Sequence, residues 1–122
     1  MMYRRGVALV AIALSLGLSA CDSGSLDLPV LTISMTWGVV GDADRSFSFS
    51  SDDDGAISGF VEGTENRGGE QAPFSGSWVE GVLTFTVEWP QQSVTYRAEF
   101  EEDNPTSLVL VSDHEMLTIT QG

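Results

Sequence analysis

The stretch from Leu83 to Trp89, "LTFTVEW", alternates apolar and polar residues without a break. A period of two sends alternate side chains to opposite faces of an extended strand. Leu83, Phe85, Val87 and Trp89 are expected to face inward, with Thr84, Thr86 and Glu88 in water. The pattern recurs in "LTISMTW", where Leu31, Ile33, Met35 and Trp37 share a face, and in "SFSFS", where Phe47 and Phe49 do. It recurs again in "VTYRAEFE", where Val94, Tyr96, Ala98 and Phe100 oppose Thr95, Arg97, Glu99 and Glu101. "AISGFVE", "PFSGSWV", "SLVLVS" and "MLTIT" are strand-like with weaker alternation. From residue 21 onward no stretch has helical spacing.

Turn-forming residues separate these runs: "GVVGDAD", "SDDDG", "GTENRGGEQ", Glu80-Gly81, Pro90-Gln91-Gln92, "EDNP" and Asp113-His114. Glu80-Gly81 reads as a two-residue hairpin, with glycine supplying positive φ. Short connections between about eight strands make an antiparallel meander, an all-β fold. One apolar face must be covered and the edges protected, and closing into an up-and-down barrel does both. A two-sheet β-sandwich is the alternative, although its Greek-key crossings need longer connections.

Residues 1–20 have a different character. Arg4 and Arg5 precede an apolar run from Val7 to Leu18, and small residues follow at Ser19 and Ala20. This is the layout of a secretory signal peptide. The apolar run falls short of the ~20 residues that a spanning helix needs. Leu18-Ser19-Ala20-Cys21 resembles the lipobox of bacterial lipoproteins: an aliphatic residue, two small ones, then cysteine. The resemblance implies that signal peptidase II recognises Leu18, Ser19 and Ala20 and cuts before Cys21. It also implies a diacylglycerol on the Cys21 thiol and a further acyl chain, such as palmitate, at the new amino terminus. One acyl chain binds a bilayer only marginally, so two or more make a durable anchor. In enteric bacteria, aspartate after the lipidated cysteine accompanies retention in the inner membrane, so Asp22 favours the periplasmic face of that membrane over the outer membrane. Residues 21–30 then form the lipidated cysteine and a flexible tether, and residues 31–122 the folded domain. The nine residues 22–30 reach about 17 Å as a coil.

Charge limits the partners. All 18 acidic residues lie beyond Cys21, where three arginines and no lysine remain, for a net charge of −15. Nucleic-acid binding needs a positive footprint, and this segment has none. An anionic bilayer surface should repel it. Such acidity favours solubility, a high-salt habitat or a cationic partner, and net charge bears on solubility before it bears on partners. Cys21 is the only cysteine, so no internal disulfide supports the fold.

In architecture the domain resembles small exported barrels of the lipocalin and avidin kind, which implies a carrier or sensor of a small apolar ligand inside the barrel. Acidic, lipid-anchored barrels that inhibit c-type lysozyme are a second likeness. "FSGSW" at residues 74–78 is similar to their serine-glycine loop, though the lysine and disulfide usual there are missing here.

Other residues invite readings of their own. Asp42, Asp44, Asp52, Asp53 and Asp54 could gather one weak calcium ion if their two loops meet at one rim. The match to an EF-hand loop fails at its first and last ligands, and acidic turns explain these residues more simply. His114, in "SDHEM", reads as a surface turn and has no second histidine to complete a zinc site. Trp37, Trp78 and Trp89 sit near strand ends, to pack the core or line the mouth of a cavity. No recognisable catalytic set is present. Neither a catalytic role nor a cofactor beyond the lipid is expected. The expected role is a membrane-anchored, non-catalytic binding or interaction module of the cell envelope.

Overall fold

A computed structural model describes residues 28–121. The signal peptide, the lipobox, Cys21 and Asp22 lie outside those residues. Eight strands follow one another: β1 (Thr36–Val39), β2 (Asp42–Ser50), β3 (Ser58–Arg67), β4 (Glu70–Val79), β5 (Val82–Glu88), β6 (Ser93–Glu99), β7 (Ser107–Val111) and β8 (Met116–Gln121). Each pairs antiparallel with the next, and β8 returns to β1 through Trp37↔Gln121, Gly38↔Thr120 and Val39↔Ile119. The sheet is a closed up-and-down barrel, not a sandwich. Pairing is uneven around it. β3 and β4 match without interruption from Ser58↔Val79 to Arg67↔Glu70, whereas β6 and β7 share one register pair, Arg97↔Val111.

The tight turns follow from residue chemistry. Glu80 and Gly81 both have positive φ, 51° and 80°, as a two-residue hairpin of the expected kind requires. "GTENRGGEQ" is not the long loop its polarity suggests. Gly68 and Gly69 alone turn the chain, and their neighbours extend β3 and β4. Polar residues can continue a strand when half of them face water and the buried ones find partners.

The inward faces obey the alternation. Leu83, Phe85 and Val87 of β5 are buried, as are Val94, Tyr96 and Ala98 of β6. Phe47, Phe49, Phe74, Phe85 and Tyr96 form one ring cluster, with neighbouring centroids 4.8–6.3 Å apart in tilted, edge-on and stacked pairs. Phe74 of β4 joins this cluster, and Phe100 is buried in the core as its run implies. β3 makes room by turning Gly59, Val61 and Gly63 inward. A side chain at Gly59 would meet Trp78, and one at Gly63 would meet Phe74.

The first alternating run behaves differently from expectation. Only its end joins the sheet, as β1. Residues 28–35 instead lie against the connections at one end of the barrel. Leu31 pairs with Ala56, the Ile33 and Ser34 amides donate to Asp54 Oδ1, and Val30 bonds to Asp103 and Asn104. Leu31 and Ile33 have no exposed surface, so they plug that end. The tether therefore ends before Val30, because residues 28–30 already belong to the folded domain.

Phe85 touches four other rings of the cluster. Phe85→Ala should cost about 3–5 kcal/mol, the range for a large core aromatic whose cavity relaxes only in part. Urea unfolding measures this as a lowered midpoint with an unchanged slope.

Candidate functional site

The end of the barrel opposite the plug is built from charge. Arg45 of β2 lies across from Arg67 of β3. Two guanidinium groups side by side repel unless an anion joins them. Glu65 supplies it. Its Oε2 accepts from Arg45 Nε at 2.8 Å and from Arg67 Nη2 at 2.9 Å. Alternation explains the geometry: Arg45 continues the inward phase of Phe47 and Phe49, and Glu65 that of Val61 and Gly63. Glu115, from the turn between β7 and β8, takes two further bonds from Arg45, at 3.2 and 2.7 Å. The Tyr96 hydroxyl accepts from Arg45 Nη2 at 2.9 Å and donates to Glu115 Oε2 at 2.8 Å.

Two arginines and two glutamates cancel, which makes burial of the group tolerable. The Arg45 guanidinium resists deprotonation. Its burial acts the other way, but the bonds to Glu115 and Glu65 prevail. Burial, then the bond to Glu115, pushes the Tyr96 phenol above its ordinary range. The Arg45 bond holds the Glu115 carboxyl down at about 2, against a smaller opposing effect of its own burial.

Two atoms of this end have no partner among the described residues. Glu65 Oε1 belongs to a side chain with no exposed surface, and Trp89 Nε1 is likewise buried. The Arg67 guanidinium lies 5.0 Å from the centre of the Trp89 ring and links the two. A groove runs outside, between the β3–β4 hairpin and the β5–β6 turn, past Glu70, Gln71 and Gln92. Solvent does not reach Glu65 or Tyr96, so the arrangement clamps the β7–β8 turn over the barrel end.

The other expected sites fare differently. Asp42 and Asp44 stand at the start of β2, and residues 52–54 follow its end. The strand holds the two groups at opposite ends of the barrel, so the five aspartates do not form one calcium site. Asp53 and Asp54 instead accept backbone N–H groups of Phe60, Ile33 and Ser34. Trp37 and Trp78 are not rim residues. Both are buried and spend their indole N–H on carbonyls, Trp37 on Ile33 and Trp78 on Ala56. Trp89 sits beside the groove at the charged end, and the Trp78 ring borders a shallow groove next to Phe60. His114 is exposed in the β7–β8 turn, as expected. Residues 74–78, "FSGSW", are the middle of β4 and not a loop.

A second surface feature escaped the sequence reading. Phe60 of β3 is 77% exposed. Its amide donates to Asp53 Oδ2, and its carbonyl accepts from Ser51 Oγ at 2.6 Å. The groove beside it, about 670 Å³, is bordered by Asp52, Glu62, Ser75 and Ser77.

The low pKa of Glu115 makes stability depend on pH. A carboxyl held below its ordinary value of 4.5 stabilises the fold above that value and loses its contribution as pH falls towards 2. The side chain is 33% exposed, so solvent screens part of the effect. Glu115→Gln should cost about 1–2 kcal/mol near neutral pH, and the gap from wild type should narrow between about pH 4.5 and pH 2. Urea unfolding across that range measures it.

No protein-family model, curated protein or solved structure matches this chain.

Proposed function

We propose that the chain is a lipid-anchored lipoprotein of the bacterial envelope and that its barrel is a non-catalytic module binding partners on its outer surface. The lipobox around Cys21 supports the anchor. The ring cluster carries the second half of the reading, because its aromatic side chains occupy the space that an apolar ligand would take. Binding then falls to the outside.

The plug supports an orientation. Residues 28–30 are fixed at the end formed by the β2–β3, β4–β5 and β6–β7 connections. The seven residue steps from Cys21 to Leu28 span at most about 25 Å. A lipid on Cys21 keeps the plugged end towards the bilayer and turns the Arg45–Glu115 end away. Asp22 favours the periplasmic face of the inner membrane over the outer membrane.

Metabolic labelling with a fatty acid tests the anchor. Wild-type protein should carry label and fractionate with membrane, whereas Cys21→Ser should be unlabelled and keep its signal peptide. An unlabelled wild-type protein would refute the reading.

A further inference from the structure

The outer wall of β2 to β5 is mostly small hydroxyl residues, with one large ring among them. Phe60 pairs with Ser77 across β3 and β4, and Glu62 pairs with Ser75 on one side and Ser50 on the other. The serines are short, so Phe60 and Glu62 stand above a trough. Asp52 reaches the same groove from the β2–β3 connection. Most of the Phe60 ring stays open to solvent in the isolated barrel. Its backbone is pinned, because its amide donates to Asp53 and its carbonyl accepts from Ser51. An exposed aromatic ring on a pinned backbone, bordered by carboxylates and opening on a groove, is the anatomy of a binding hot spot with a charged rim.

We infer that this groove docks an arginine-bearing segment of a cationic protein, a partner that deepens the outward-binding function proposed above. A guanidinium group is planar and weakly hydrated, so it can stack on the Phe60 ring while its N–H groups reach Asp52 and Glu62. The surrounding charge has the matching sign. The β2–β3 connection carries acids at residues 52–54, Glu80 follows β4, and neither connection has a basic residue. Two of the three arginines beyond Cys21 are committed to the opposite end, bonded to Glu65. A second copy of the chain would bring like charge to this face. A bilayer is the other surface that could accept Phe60, since Ile57 and Val79 are exposed near it. The same acids oppose an anionic bilayer, and that favours the protein partner.

The test titrates the full chain, purified in detergent, with deca-arginine and deca-lysine at fixed ionic strength, and with phosphatidylcholine vesicles. Deca-arginine should bind more tightly than deca-lysine. Phe60→Ser leaves the charge unchanged and should weaken deca-arginine by about tenfold, the scale of a hot-spot aromatic. Asp52→Asn with Glu62→Gln should weaken it as much. Glu101→Gln with Glu102→Gln removes the same charge elsewhere and should weaken it less than about threefold, as for screened surface charges. Equal losses in the two double variants would mean diffuse attraction and would overturn the proposal. So would absence of deca-arginine binding. Phe60→Ser that lowers vesicle binding and spares the peptide would overturn it in favour of the bilayer. None of these outcomes touches the fatty-acid label on Cys21, so the anchor and the groove stand or fall separately.

Discussion

An eight-stranded barrel has room inside for its own side chains and little more. Every inward position must then be filled by something that fits its neighbours. Phe47, Phe49, Phe74, Phe85 and Tyr96 meet this demand as one cluster of rings. The demand also explains the glycines opposite them. β3 gives up side chains at Gly59 and Gly63 so that β4 can bring Trp78 and Phe74 across. It explains the phase of β3 as well. Phe60 and Val61 are adjacent and only one can point inward, where the smaller one fits beside Phe49 and Phe74. Phe60 is left outside, and the outward surface acquires its one large ring as a consequence of packing.

The two ends are closed by different physics. At one end, Leu31 and Ile33 of the incoming chain bury apolar surface and satisfy their backbone groups on the neighbouring connections. At the other, no segment among the described residues crosses the opening. Arg45, Arg67, Glu65, Glu115 and Tyr96 close it with a charge-balanced set of hydrogen bonds. Apolar closure tolerates small shifts in position, whereas a charged cluster requires directed bonds and holds one geometry. The β7–β8 turn is fixed by such bonds from Arg45 to Glu115.

Beyond the first run, Leu31–Trp37, the strands were legible where alternation was clean. Phe47, Phe85 and Tyr96 follow directly from their runs, and Glu80-Gly81 from turn chemistry. The charged end was hidden because Glu65 occurs in "GTENRGGEQ", which reads as a turn, and Arg45 falls between the turn "GVVGDAD" and the run "SFSFS". Carrying the phase back two residues from Phe47 reaches Arg45, and carrying it forward from Val61 reaches Glu65. Charge masked a period that was present. The grouping of five aspartates failed for a different reason. Residues close in sequence across a nine-residue strand are far apart in space, and strand length decides that. The outward turn of Phe60 could not be read locally, since it depends on which rings other strands contribute.

The ring of strands is not equally bonded all the way round. Between β6 and β7 a single register pair joins the sheet, where β3 and β4 share ten. Local opening takes the least free energy where the fewest bonds break. An opening there would convert the closed ring into a ribbon with β6 and β7 as its free edges. The β6 edge carries Arg97 and Glu99 on the outside, and charge on an edge discourages pairing with another chain, whereas the β7 edge carries exposed Val109 and Val111. The barrel thus has a seam that is guarded by charge on its β6 side alone, and a parted seam would bare the valines of β7.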